Sequence, residues 1–217
     1  MTAGVWVRGL LQDHYRLDSR SVRFFTGGLN EPGLQERIRI APAPGYRIEP
    51  IGAGETLSDL LRGGAIDAVI APQPPACFGD PTVAVRRLFA QPDAEERAFF
   101  ARTGIFPIMH LLAVRREVLA RDPGLAAALF EAFTAARDCG YRQLDVMARA
   151  PSLPLMLPWL AAAIAQTRDA MGADPWPYGF SANRETLEAL CRYSHQQGLS
   201  SRLIDPAEMF PQTLLQS

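Results

Sequence analysis

The chain has 217 residues, a mass of 23.8 kDa, 48% hydrophobic and 21% charged residues, and a net charge of −1. That is enough chain to bury a sizeable core in one domain or two small lobes. The near-neutral balance gives no electrostatic case for nucleic acid or an anionic membrane surface. No apolar run reaches the roughly 18 residues that a spanning helix needs. The opening residues also lack the basic and apolar regions of a signal peptide, so the simplest expected location is the cytoplasm.

All 22 basic residues are arginine. Schiff-base chemistry, a phosphate-loop lysine and a lysine general base are therefore excluded, and any anion must be held by guanidinium forks and backbone amides. Cys77, Cys139 and Cys191 are far apart and form no CxxC pair. They read as buried or incidental thiols rather than as a disulfide framework or a zinc site.

In chain order, residues 2–16 read as a helix with Thr2 as N-cap and Val5, Trp6, Gly9 and Leu10 at helical spacing. Arg20 to Phe25 alternates as a strand, and residues 26–33 form a glycine-rich loop. Across 26–37, Gly27 and Gly28 allow close backbone approach, while Glu31 and Arg37 offer one charge of each sign. Such a loop is either a ligand-holding turn or a surface turn with an ion pair. Tyr46 to Ile51 is a second short strand. A helix opens at Thr56, with Asp59 as capping partner, and stops at Gly63-Gly64.

Residues 65–71 read as a fully buried strand of a parallel sheet. Asp67 inside it is either a paired structural carboxylate or a cleft-facing one, since a lone buried carboxylate is costly. The proline-rich run Pro72–Phe78 leaves at that strand's carboxyl end, where open α/β sheets bind ligands. Residues 102–133 read as a loop, an apolar strand carrying His110, a short turn and a helix opened at Asp122-Pro123, with His110 a satisfied core residue or an acid, base or metal ligand. Beyond Asp122-Pro123 the pattern turns helical: one long amphipathic stretch over 123–149, a break at Pro151, Pro154 and Pro158, a second helix to about Met171, and a third, capped by Ser181 or Asn183, through His195. The expected organisation is an α/β substrate-binding lobe over residues 1–116 and a mainly helical region over 117–217.

Eight strings carry a resemblance: Thr2-Ala-Gly-Val-Trp6-x-Arg-Gly, Gly27-Gly-x-Asn-Glu-Pro-Gly33, Gly54-Glu-Thr-Leu-Ser-Asp59, Asp67-Ala-x-Ile-Ala-Pro72, Thr103-Gly-Ile-Phe-Pro-Ile-Met-His110, and the late Trp176-Pro-Tyr-Gly, Asn183-Arg and Tyr193-Ser-His-x-Gln-Gly-Leu199. Together they resemble the 4,5-dihydroxyphthalate decarboxylase family. The resemblance implies a type 2 periplasmic-binding-protein-like α/β fold. Members typically carry a further N-terminal stretch, so this chain is expected to hold the second lobe with its C-terminal helices and to lack most of the first.

The activity so implied is non-oxidative decarboxylation of 4,5-dihydroxyphthalate or a similar hydroxylated aromatic acid. On this reading the amides of Thr2 and Ala3, with an arginine, grip a carboxylate, and His110 or Asp67 manages the proton. Trp6, Gly28, Glu31, Arg37 and Thr103 complete the expected substrate contacts. The competing reading is a non-catalytic binding protein for a small anionic metabolite, because fold alone does not fix function. No cofactor is evident, and a divalent metal stays open. The expected partner is a small aromatic or anionic substrate, and residues 98–112 are open to a homo-oligomer contact or a core role.

Overall fold

The computed structural model describes every residue except Met1, 34–42 and 151–154. Arg37, Pro151 and Pro154 therefore lie outside the described residues. What is described is an α/β protein dominated by helices: α1 Thr2–Tyr15, α2 Leu57–Arg62, α3 Pro92–Thr103, α4 Arg116–Arg121, α5 Leu125–Arg149, α6 Leu160–Met171 and α7 Phe180–Gln196. Two strands, β1 Arg23–Thr26 and β2 Arg47–Pro50, pair in parallel with Arg23 beside Arg47 and Thr26 beside Pro50. The chain divides into two compact units, Met1–Glu95 with Glu188–Ile204, and Glu96–Leu187 with Asp205–Ser217. It passes between them within α3, within α7 and again from Ile204 to Asp205.

In the first unit, local signals set the elements. Asp18 accepts a hydrogen bond from the Arg20 amide and caps a 3-10 turn over Ser19–Ser21, so β1 begins at Arg23, three residues later than the alternation suggests. Thr56 is the N-cap of α2: its hydroxyl accepts from the Asp59 amide at 3.0 Å and donates to the Asp59 carboxylate at 2.7 Å. The helix ends at Gly63, and Gly64 then turns the chain at φ +72°.

The core of this unit is the seam between α1 and the end of α7. Trp6 and Tyr193 are each 1% exposed and meet edge to face, with ring centroids 5.7 Å apart. Gly9 makes the seam: a Cβ on it would lie 2.4 Å from the Tyr193 ring, so only glycine lets the ring lie flat on the helix backbone. The seam is closed by polar links. Gln197, itself buried, donates to the Val5 carbonyl at 2.9 Å and accepts from Arg8 Nε at 2.7 Å. Asp13 accepts from the Tyr193 hydroxyl at 2.8 Å and from Arg192 at 2.7 Å.

The second unit is built from helices that bury little. α5 has the expected amphipathic pattern, yet Ala126 is its only buried residue, and α4 and α6 have none. Its tightest cluster joins α5 to the Trp176-Pro-Tyr-Gly string. The Arg137 guanidinium lies 5.5 Å from the Tyr141 ring centroid and 5.1 Å from that of Tyr178, and pairs with Asp138 and Asp174. The Tyr141 hydroxyl donates to Asp174 and accepts from the Trp176 amide. Asn183, offered above as a cap, lies inside the first turn of α7 and donates to the carbonyls of Pro177 and Gly179.

Two expected strands differ. Residues 65–71 are not a buried strand: they form no ladder among the described residues, and Asp67 is exposed. The burial cost that called for a partner to Asp67 therefore does not arise. Residues 104–114 are not assigned to a strand, and His110 is exposed rather than set in an apolar core. Two helices, α3 and α4, form where no helix was expected.

Candidate functional site

The parallel strands of the first unit end at Thr26 and Pro50, and the Ile51 amide donates to the Thr26 carbonyl at 3.0 Å, holding the two ends together. Ligands of parallel α/β sheets bind beyond this carboxyl edge. Two glycine-rich loops leave from it. Gly27 packs directly on Ile51, where a Cβ would come within 2.4 Å of that side chain. The carbonyls of Gly28 and Leu29 then accept from the Leu57 and Ser58 amides at 2.9 Å each. With Asp59's amide held by Thr56, the first three amides of α2 are all satisfied by the protein itself. α2 thus serves to fix the loop and leaves no amide of its first turn for an anion.

The proline-rich run joins the same place. Asn30 Oδ1 accepts from the Ala76 amide at 2.7 Å, and Ser58 Oγ accepts from the Cys77 amide at 3.1 Å. Cys77 is fully buried beneath this junction. The loops 26–31 and 72–78, read separately from sequence as ligand-holding candidates, are one structure here. Gly28 is buried within it and Glu31 projects from it, exposed.

On α1, Thr2 is exposed and Ala3 half-buried in the first helical turn. Trp6 faces the Tyr193 seam, with 1% of its surface exposed. Arg8 emerges as a residue that the sequence reading passed over. Its guanidinium lies 5.5 Å from the Phe24 ring centroid on β1, and Nη1 reaches back to within 3.6 Å of where a Cβ on Gly4 would stand. The signal was present in the Trp6-x-Arg-Gly string, which the argument used for resemblance and not for chemistry.

Electrostatics in this unit centre on the α1–α7 seam. Burial pushes the Asp13 carboxyl up, but the hydrogen bonds from Arg192 and Tyr193 and the guanidinium charge outweigh it, leaving it below the usual range. Burial and the adjoining Asp13 carboxylate push the Tyr193 phenol up to about 12. A depression of about 530 Å³ lies toward the amino edge of the strands, lined by Gln12, Arg16, Asp18, Arg20, Tyr46 and Gln196. It contains none of the residues put forward above, and its place opposite the glycine-rich loops makes it the weaker site for ligand chemistry.

The remaining candidates belong to the second unit. Thr103 ends α3, its hydroxyl donating to the Phe99 carbonyl at 2.8 Å and accepting from the Ile105 amide at 3.1 Å, so it shapes the exit of the chain into the segment that follows. His110 stands exposed on that segment. Among the described residues no three His, Cys, Asp or Glu side chains come together as a metal site would require, and no helix is long and apolar enough to cross a membrane. Cys77 and Cys191 are buried, Cys139 is exposed, and all three are free thiols.

No protein-family model matches the chain. Over all 217 residues it is 33% identical to the 4,5-dihydroxyphthalate decarboxylase of Comamonas testosteroni. This likeness runs the whole length of the chain and supports the resemblance to the 4,5-dihydroxyphthalate decarboxylase family read from the sequence. It is also 36% identical over 92 residues to the enzyme of that name from Pseudomonas putida, covering 42% of this chain and 36% of that one. The chain spans 65% of the length of the Comamonas decarboxylase, leaving about a third of that relative unmatched.

Proposed function

We propose that the chain acts in the non-oxidative decarboxylation of 4,5-dihydroxyphthalate or a similar hydroxylated aromatic acid. The observation that carries this reading is the identity to a decarboxylase of that name, which runs the whole length of the chain. The fold proposed to go with it is type 2 periplasmic-binding-protein-like, with the first unit's parallel strands and glycine-rich loops as its substrate-facing edge.

The chemistry asks for three things. A hydroxyl para to the departing carboxylate must give up its proton, so that electron density reaches the carbon bearing the carboxylate. That carbon must accept a proton, and breaking its bond to the carboxylate then releases CO₂ and restores the aromatic ring. The carboxylate that stays must be held. In a chain without lysine the holder is an arginine, and Arg8, whose Nη1 lies near Gly4 of α1, is our candidate, with the amides of Thr2 and Ala3 as further proposed donors. His110 or Asp67, both exposed, is our candidate for the proton-handling group. Glu31 is the charged side chain that the glycine-rich loop presents to the ligand.

The test is turnover. Purified protein with 4,5-dihydroxyphthalate, with and without a divalent metal, is expected to release CO₂ and 3,4-dihydroxybenzoate in equal amounts. Arg8→Met is expected to raise KM about thirtyfold with a much smaller effect on kcat, the loss of a charged hydrogen bond worth about 2 kcal/mol. Ligand-dependent thermal stabilisation without any CO₂ would mark a binding protein instead.

A further inference from the structure

The loop after β1 turns two of its peptide groups the same way. The carbonyls of Gly28 and Leu29 accept from the consecutive amides of Leu57 and Ser58 that open α2, at 2.9 Å each. In a planar trans peptide the N–H points opposite to the C=O, and no peptide bond among the described residues is cis. The amides of Leu29 and Asn30 are the other halves of those same two peptide groups, so both point away from α2. Neither donates to an acceptor among the described residues. Two neighbouring amides aimed to one side form a donor pair suited to an oxygen that carries negative charge.

The pair is held firmly in place. α2 fixes both carbonyls, and Asn30 Oδ1 accepts from the Ala76 amide at 2.7 Å, tying the loop to the proline-rich run. Gly27 packs on Ile51 just past β2, where a Cβ would lie 2.4 Å from that side chain. Donors fixed in this way need no reorganisation when charge develops beside them. They lie beyond the carboxyl ends of β1 and β2, where parallel sheets hold their ligands. The next residue is Glu31, exposed and with no hydrogen bond or ion pair among the described residues. A carboxylate at that position repels a second carboxylate and accepts readily from a hydroxyl.

We infer that the Leu29 and Asn30 amides and the Glu31 carboxylate form the subsite for the hydroxylated edge of an aromatic acid. The two amides donate to the oxygen of the hydroxyl that gives up its proton, and Glu31 accepts from the hydroxyl beside it. As the O–H bond breaks, its electron pair stays on the oxygen facing the amides and the proton passes to water. The inference rests on the proposed substrate class and deepens it, because two adjacent ring hydroxyls satisfy both halves of the subsite. A ring carboxylate would satisfy the amides and be repelled by Glu31. The loop thereby selects catechols over phthalates that lack hydroxyls.

The experiment follows the backbone amide resonances of the isotope-labelled chain during titration with 4,5-dihydroxyphthalate, catechol and phthalate. The first two are expected to move the Leu29 and Asn30 amide protons downfield and to slow their exchange, while phthalate leaves both where they are. Glu31→Gln is expected to weaken binding of catechol and of 4,5-dihydroxyphthalate about tenfold, the loss of a charged hydrogen bond, and to leave phthalate binding unchanged. Unaltered exchange at Leu57 and Ser58 in that variant reports that the loop is still seated on α2. Phthalate moving the two amides as catechol does would overturn the inference. So would two amides that stay still under all three compounds, or a Glu31→Gln variant that weakens all three equally. Catechol-induced shifts in a chain that releases no CO₂ would count against the proposed decarboxylation and leave this subsite standing. Release of CO₂ with both amides unmoved would do the reverse.

Discussion

At the scale of single residues, the clearest structural demand in the molecule falls on Gly9. Its missing Cβ is the space into which the Tyr193 ring fits. Gly9→Ala would force the ring off the helix in a close-packed seam, at a cost of about 1–3 kcal/mol, read as a lower urea midpoint with an unchanged m-value. Tyr193 and Asp13 also give the protein a pH signature. Asp13's folded value lies below its unfolded one, so its contribution is present above about pH 4 and is lost as pH falls through the lower folded value. Tyr193's folded value is raised to about 12, so its contribution is whole below about pH 10 and fades as pH rises through 12, when a phenolate would face the Asp13 carboxylate. Stability is therefore expected to be level between about pH 5 and 10. Tyr193→Phe should cost about 1 kcal/mol at pH 7 and flatten the alkaline fall, and Asp13→Asn should flatten the acid one. An alkaline fall of the same depth in Tyr193→Phe would show that another group sets it.

At the scale of elements, what was legible in the sequence was what local signals determine. Thr56 with Asp59, and Gly63-Gly64 after the helix, bracket α2 as read, and the period of residues 123–149 gives α5 almost to the residue. Thr56→Ala should cost about 1 kcal/mol and loosen the 26–31 loop, whose carbonyls hold the next two amides; faster hydrogen exchange at Leu57 and Ser58 is the measurement. α3 was missed although Pro92 stands at its start with Asp93 and Glu95 in the first turn, an opening signal that outweighs its weak apolar period. Residues 65–71 and 104–114 were read as buried strands because their side chains are those of buried strands. Composition records what a segment can pair with, and pairing needs a partner that no local pattern supplies. The candidate site divides in the same way. The two loops could be read from glycines and prolines, but the links that join them, Asn30 to Ala76 and Ser58 to Cys77, connect residues far apart in sequence. Much of the family resemblance also has a packing explanation: Trp176-Pro-Tyr-Gly braces Arg137 and Tyr141, and the string from Tyr193 to Gln197 closes the α1 seam.

At the scale of the molecule, the chain is similar over its whole length to the Comamonas decarboxylase and spans 65% of that enzyme. In the proposed function, its arginine-only cation set gives Arg8 the role of holding the carboxylate that the substrate keeps. The decisive measurement is turnover of 4,5-dihydroxyphthalate in D₂O by the purified chain, with and without a divalent metal. The account predicts one CO₂ for each molecule of 3,4-dihydroxybenzoate, carrying one deuterium at the ring carbon that lost its carboxylate. Substrate that binds and raises the melting temperature, yet yields neither CO₂ nor deuterated product in either preparation, would contradict it.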